Sequence, residues 1–99
     1  MTALTVLTPG DQGDSSWAEA RSIAEIEKFV RAGHTVVVTP AELAGHDGEA
    51  AELAAASVCA WAGARVFRTN RPEQVRLAVE MTESLAGRRP PALTRRGLA

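Results

Sequence analysis

Hydrophobic positions along this chain form three short apolar runs, and each run is followed by a longer segment with helical spacing. The runs lie at Ala3–Leu7, at Thr35–Val38 and at Val66–Phe67, and β-branched or aromatic residues in them favour strands. A spacing of about 30 residues between successive strands is typical of parallel βα units. The pattern therefore predicts the α/β class, with the order βαβαβα and a three-stranded parallel sheet.

The first two predicted helices differ in their apolar faces. Ser16 and Glu19 have the spacing of a capping box, which predicts that the first helix starts there and ends at Gly33. The second helix, from Ala50 to Trp61, has alanine on nearly every face, and Asp47 is its predicted cap. Small side chains all round indicate burial on more than one side. The pattern allows helices on one face of the sheet, as in a barrel segment, or on both faces, as in an open three-layer sheet.

The third unit carries the main candidate for a site. Arg68 follows the strand directly, and the third helix is predicted from Arg71 to Ala86. Asn70 is placed to cap that helix, with Pro72 in its first turn and Glu73 reaching back. Ligands bind at the carboxyl edge of parallel sheets, and helix N-termini attract anions. Arg68 is therefore a candidate anion-binding residue; the alternative is that it pairs with a nearby carboxylate.

Composition narrows the classes of function. The 99 residues carry a net charge of −1 and only 4% aromatic residues, so no nucleic-acid partner is expected. Cys59, the single cysteine, lies in an apolar run and is predicted to be a core residue in a reducing compartment. No signal-peptide pattern or membrane-spanning run occurs, so we expect a cytoplasmic protein without a membrane partner. Residues 1–86 are predicted to form one domain and residues 87–99 a basic, proline-containing tail.

Other candidate chemistry is sparse. His34 and His46 lack the spacing of paired metal ligands, so no metal site is predicted. Asp11 and Asp14, in the loop after the first strand, are interpreted as solvated acids rather than a Mg²⁺ site. No phosphate-binding glycine motif with its lysine and no catalytic triad pattern is present, so no cofactor is expected.

Four segments, in consecutive order, resemble the dihydropteroate synthase family. Gly63–Asn70 resembles the final barrel strand with its Gly-Ala-x-x-x-Arg-x-His pattern, and Ala50–Trp61 resembles the helix before it. Thr8–Gly10 resembles the Asp-Pro-Gly that ends an earlier strand, and Gly33–Val38 resembles the turn and strand between them. The resemblance extends to about Ala86. It implies the last three units of a TIM barrel, whose eight units need about 250 residues.

The sequence departs from the family pattern at several positions that would bind substrate. Thr8 replaces the aspartate, Thr39–Glu42 stands where the family has Ser-Arg-Lys, and Asn70 replaces the final histidine. Only Arg68 matches an anion-binding position, and the family's first five strands have no counterpart. The family's reaction displaces pyrophosphate from a pterin by an arylamine, which requires Mg²⁺ and several cations. The resemblance therefore implies that this chain alone is not an active transferase.

Two hypotheses for function follow. In the first, the chain is a non-catalytic module whose open edges, at the first and third strands, are covered by a homo-oligomer or by a dihydropteroate-synthase-related chain. In the second, a phosphate or pterin-like anion binds at the carboxyl edge, and catalysis requires another subunit. The residues of this second site are Arg68, Thr69, Asn70, Thr8 and Gly10. Glu42, at the position of the family's lysine, favours the first hypothesis.

Overall fold

The computed structural model of the chain describes residues 4–88, which form four parallel strands and four helices. In chain order these are β1 Thr5–Leu7, β2 Ala18–Glu19, α1 Ile23–Arg31, β3 Val36–Val38, α2 Pro40–Leu43, α3 Glu49–Ala62, β4 Val66–Arg68 and α4 Pro72–Leu85. The α/β class and the parallel sheet are confirmed, but this part of the chain has four strands rather than three. The predicted strand start at Ala3 and most of the predicted tail, residues 89–99, lie outside the described residues.

Strand β2 lies where the sequence predicted the start of a helix. It pairs with β3 in parallel, and Ala18 N donates to Thr35 O. Helix α1 begins only after Ser22, whose hydroxyl accepts a hydrogen bond from Glu25 N. The capping box predicted at Ser16–Glu19 is therefore wrong. The same Ser-x-x-Glu spacing recurs at Ser22 and Glu25, and this second occurrence caps the helix.

The order of strands across the sheet is β1-β4-β3-β2. Phe67 of β4 is in register with Val6 on one side and with Val38 on the other. In consecutive barrel units each strand lies beside the strand that precedes it in the chain. Strands β2, β3 and β4 follow this rule, whereas β1 lies on the far side of β4. The open edges among the described strands are therefore β1 and β2. The prediction of an open edge at the third predicted strand, β4, is wrong because β1 pairs with β4, which places β4 between β1 and β3.

Helices α1, α3 and α4 all pack on one face of the sheet. Side chains alternate between the two faces of a strand, and Val36, Val38 and Phe67 point to the helical side, in one continuous core. This core also includes Ile26, Ala56, Cys59, Ala60, Val75 and Val79. Of the two arrangements that the sequence allowed, the structure has helices on one face. The buried position of Cys59 confirms its interpretation as a core residue.

The opposite face of the sheet is covered by residues 8–17, which we call the crossing segment. It leads from the carboxyl end of β1 to the amino end of β2, at the other edge of the sheet. Trp17 packs against the small apolar cluster of that face, and a Cβ atom on Gly13 would lie 2.8 Å from Arg68 Nη2. The cluster consists of Leu7, Val37 and Val66. The chain thus covers with its own loop the face that would point into the interior of a barrel.

The ends of α3 and α4 are joined by a buried ion cluster. Glu83 accepts hydrogen bonds from Arg65 and from Arg88, whose Nη2 lies 2.8 Å from Glu83 Oε2. Arg88 Nη2 also donates to Ala60 O at the end of α3, at 2.7 Å. Burial acts to raise the pKa of Glu83, but the hydrogen bonds and charges of Arg88 and Arg65 outweigh burial and hold that pKa below its ordinary value. Arg88, assigned to the tail by its sequence, thus contacts the folded domain.

Two further predictions about helix ends have opposite outcomes. Helix α3 ends at Gly63, as predicted, because Gly63 adopts a φ of 118° that side chains disfavour. Its N-cap is Gly48 without a side-chain hydrogen bond, so the predicted cap at Asp47 is wrong. None of the helices in the described part is both long and apolar enough to cross a membrane.

Candidate functional site

A cleft of about 710 Å³ opens at the carboxyl edge of the sheet, where β3 and β4 end. Helices α3 and α4 both begin there, and neither N-cap residue makes a side-chain capping hydrogen bond. Because the N-terminal end of a helix carries a partial positive charge, both helix starts favour an anion nearby. The charged residues lining the cleft are Glu42, Asp47, Glu52, Arg68 and Arg71, and His46 also lies on its wall.

Arg68 is the last residue of β4 and points to the face opposite the helices, as Val66 does two residues earlier. Its guanidinium lies beneath the crossing segment at Gly13. The Nε atom is buried and has no hydrogen-bond partner among residues 4–88. The predicted alternative, an ion pair between Arg68 and a nearby carboxylate such as Glu42, is not found in this range. Arg68 is therefore a guanidinium at the cleft wall with unused capacity to donate.

Thr69 and Arg71 instead belong to a network centred on Glu52. Thr69 Oγ1 donates to Glu52 Oε2 at 2.5 Å and accepts from Arg71 N at 2.9 Å. Arg71 Nη1 lies 2.6 Å from Glu52 Oε1. Glu52 and Thr69 are both buried, so these hydrogen bonds satisfy polar groups that could not otherwise reach water. The network fixes the start of α4 to the first turn of α3.

This network corrects the predicted cap of α4. Asn70 is exposed and makes no capping bond, because Arg71 is the N-cap residue and the Thr69 hydroxyl accepts from its N–H. Glu73 does not reach back, but Pro72 is in the first turn as predicted. Sequence reasoning missed Glu52, which lies in the first turn of the alanine-rich helix α3. The signal that could have found it is a carboxylate on a helix whose other residues are nearly all apolar.

The structure brings only part of the predicted site together. Arg68, Thr69 and Asn70 line the cleft, whereas Thr8 and Gly10 lie in the adjacent turn. Both the N–H and the hydroxyl of Thr8 donate to Asp11 Oδ2, at 2.8 and 3.0 Å. These hydrogen bonds lower the pKa of Asp11 and leave Thr8 engaged within its own loop.

Among residues 4–88, the acidic side chains near the cleft do not group as metal ligands. Asp14 accepts from the N–H and hydroxyl of Ser16, which lowers its pKa, so Asp11 and Asp14 each close a turn of their own. Within residues 4–88, no group of three or more histidine, cysteine or acidic side chains is placed to hold a metal ion. The cleft therefore combines one guanidinium and two helix N-termini with the carboxylates of Glu42 and Asp47.

Comparison with known proteins finds sequence similarity between part of this chain and dihydropteroate synthase relatives. Inactive dihydropteroate synthase 2 of Mycobacterium bovis and that of Mycobacterium tuberculosis are 49% identical to this chain over 47 residues. The matched region is 48% of this chain and 15% of each mycobacterial protein. No protein-family model matches the sequence, and no solved structure matches it. The chain is similar in part to dihydropteroate-synthase-like proteins.

Proposed function

We propose that this chain is a dihydropteroate-synthase-like protein that is not catalytic and acts by associating with other protein chains, either copies of itself or a dihydropteroate-synthase-related partner. The observation that carries the non-catalytic half of the proposal is the ion pair between Arg71 and Glu52. This pair engages Arg71, which is one of the two arginines that line the cleft. Arg68, the other arginine, is not part of the pair. The partial similarity to proteins described as inactive dihydropteroate synthase 2 supports the same conclusion.

The charge balance of the cleft argues against transfer chemistry. A departing pyrophosphate carries several negative charges, and enzymes stabilise them with fixed cations and a metal ion. The described lining includes three carboxylates and two guanidiniums, and the Glu52 carboxylate is committed to Arg71. Glu42 and Asp47 would repel the charge that develops on the leaving group. One unpaired guanidinium does not offset this repulsion.

A turnover assay tests the catalytic half of the proposal. The purified chain is incubated with Mg²⁺, a pterin pyrophosphate and an aminobenzoate, and dihydropteroate is measured against an active dihydropteroate synthase. We expect no product above the reaction without protein. Turnover by the wild type that is lost in Arg68→Ala, but kept in the control Arg76→Ala on the outer face of α4, would contradict the proposal.

Binding of an anion at Arg68 is a second candidate function. The buried Nε atom without a partner favours it, since such a group gains a hydrogen bond when a ligand oxygen reaches it. One arginine and a helix N-terminus together contribute about 2–4 kcal/mol, so the dissociation constant for phosphate would be millimolar at best.

Phosphate titration followed by amide shifts at residues 69–73 tests this second candidate. We expect saturable shifts in the wild type, stronger binding in Glu42→Gln because a repelling carboxylate is removed, and no response in Arg68→Gln. Arg76→Gln is the matched control, because Arg76 is exposed on α4 and pairs at 3.7 Å with Glu80. If Arg68→Gln responds as the wild type does, the anion does not bind at Arg68.

A further inference from the structure

The crossing segment covers Arg68 without giving it a partner. A Cβ atom added to Gly13 would lie 2.8 Å from Arg68 Nη2, so the backbone of the segment lies against the guanidinium. Arg68 Nε is buried and has no hydrogen-bond partner within residues 4–88. In folded proteins a buried donor nearly always has a partner, and leaving one unpaired is unfavourable. The segment therefore covers the arginine in a way that lowers the stability of the fold.

The covered atoms form the edge of the guanidinium that is suited to oxyanions. The N–H groups of Nε and Nη2 point in the same direction, and together they form a fork that matches two oxygens of a phosphate or carboxylate. In Arg68 the first of these atoms is buried and the second lies beneath Gly13. Arg68 also lines the cleft at the carboxyl edge of the sheet. An anion in the cleft can therefore approach the arginine, but it cannot reach the fork while the segment lies over it.

The middle of the crossing segment makes only local hydrogen bonds. Residues 9–16 are all exposed, and within the described part of the chain their hydrogen bonds stay inside the segment. Asp11 and Asp14 accept from neighbours in the segment, and neither forms an ion pair with Arg68 in that part. A segment with exposed backbone and few contacts to the sheet opens at low free-energy cost.

Trp17 anchors the end of the crossing segment. Its side chain packs against the small apolar cluster on the face of the sheet opposite the helices. The position of a Cβ atom on Gly13 lies 3.4 Å from Trp17 Cε3, so the indole and the Arg68 guanidinium both lie against Gly13. A movement that lifts Gly13 off the guanidinium therefore also changes the surroundings of the indole.

We propose that the crossing segment is a movable cover, and that a small oxyanion such as phosphate binds the fork of Arg68 only when the segment lifts at Gly13. The inference rests on anion binding at Arg68, the second candidate function, and names its regulation. In the closed form the fork is masked. In the open form an anion oxygen gives Nε the partner that it lacks within residues 4–88. The anion shifts the population to the open form because it binds the fork in that form alone.

A purely structural role for the cover fits the contacts less well. Stability alone would favour an ion pair between Arg68 and a carboxylate of the segment, since a covered cation without a counter-charge is unfavourable. The segment has two carboxylates, Asp11 and Asp14, and both close turns of their own. The cover therefore masks the arginine without neutralising it, which leaves its charge for a ligand.

Phosphate titration of the wild type and two tryptophan variants tests the cover. Trp17→Ala removes the anchor and is expected to lower the dissociation constant about tenfold, the factor for a competent form that is about a tenth of the wild-type population. Trp61→Ala is the matched control, because Trp61 is 59% exposed on α3, and it is expected to bind as the wild type does. Amide shifts at residues 69–73 report binding, and circular dichroism checks that both variants are folded.

Movement of the segment is measured in a protein that keeps its anchor. In Trp61→Phe the one remaining tryptophan is Trp17. Phosphate is expected to shift its fluorescence emission, with the same midpoint as the amide shifts at residues 69–73. Nuclear magnetic relaxation of the Gly13 amide is expected to show larger fast motion with phosphate bound. Arg68→Gln in the same background should abolish both responses.

The outcomes separate the cover from the anion site. If phosphate shifts the amides at residues 69–73 but Trp17 emission and Gly13 relaxation do not change, and Trp17→Ala binds no more tightly than the wild type, the cover is overturned while anion binding stands. If Trp17→Ala binds phosphate and the wild type does not, the cover is supported, because it then masks the site almost completely. If neither protein binds phosphate, the inference and the second candidate function are both overturned.

Discussion

Replacing Glu83 by glutamine is expected to destabilise the fold while leaving the size of the side chain nearly unchanged. Glu83 is 2% exposed and accepts hydrogen bonds from Arg65 and Arg88. Arg88 in turn bonds to Ala60 O at the end of α3. The carboxylate therefore joins α4 to the end of α3 and to the turn that precedes β4.

The size of the effect follows from the exposure of the two arginines. Removing one partner of a buried ion pair costs about 3–5 kcal/mol. Here the side chains of Arg65 and Arg88 are 20% and 37% exposed, so water can partly solvate both when the charge of Glu83 is removed. The glutamine oxygen can also keep one hydrogen bond. We expect a loss of about 2 kcal/mol in the free energy of unfolding, or about 10 °C in melting temperature.

The pH dependence gives the same prediction a second readout. Because the arginines hold the pKa of Glu83 below its ordinary value of 4.5, the folded state stabilises the ionised carboxylate. This stabilisation is fully present above pH 4.5 and is lost as the pH falls through the lowered pKa of Glu83. The difference between wild type and Glu83→Gln is therefore expected to be constant near neutral pH and to shrink in acid below 4.5.

Urea unfolding followed by tryptophan fluorescence and circular dichroism measures both effects. Glu73→Gln is the control, because Glu73 is an exposed carboxylate on the same helix and its loss should cost about 0.5 kcal/mol or less. If Glu83→Gln is no less stable than Glu73→Gln at neutral pH, or if its deficit persists undiminished in strong acid, the ion cluster does not stabilise the fold as argued.

Three further predictions concern local features. Gly63→Ala should lower the free energy of unfolding by about 2 kcal/mol or more, because φ at Gly63 is 118° and an added Cβ would lie 2.9 Å from Val30. Gly45→Ala, where an added Cβ meets nothing within 4 Å, should lower it by less in the same urea assay. Ser22→Ala should lower the free energy of unfolding by about 1 kcal/mol, because the capping hydrogen bond from Glu25 N to the Ser22 hydroxyl is lost. Cys59 should resist a thiol reagent in the native state and react after unfolding, measured by absorbance.

The order of the main elements could be predicted from the sequence because strong local signals mark them. β3 is a run of three valines, α3 ends at a glycine, and α4 begins at Pro72. The position of Arg68 at the carboxyl edge followed from the same signals. In each case the residue type limits the backbone conformation by itself, so no knowledge of distant contacts was needed.

The missed features depend on contacts between distant segments. β2 is two residues long and not β-branched, so only its pairing with β3 makes it a strand. The placement of β1 beside β4 likewise follows from the path of the crossing segment. Glu52 and Thr69 are 17 residues apart, and no local pattern indicates that they share a hydrogen bond. For the same reason the cap of α4 was assigned to the exposed Asn70.

The mass of the unmodified chain in solution, alone and mixed with an active dihydropteroate synthase, tests the central claim of association most directly. Light scattering over a concentration series compares the measured mass with the 10.5 kDa of one chain. We expect about twice that mass for the chain alone at micromolar concentration, or a stable complex in the mixture. A mass of 10.5 kDa at every concentration, with no complex in the mixture, would contradict it.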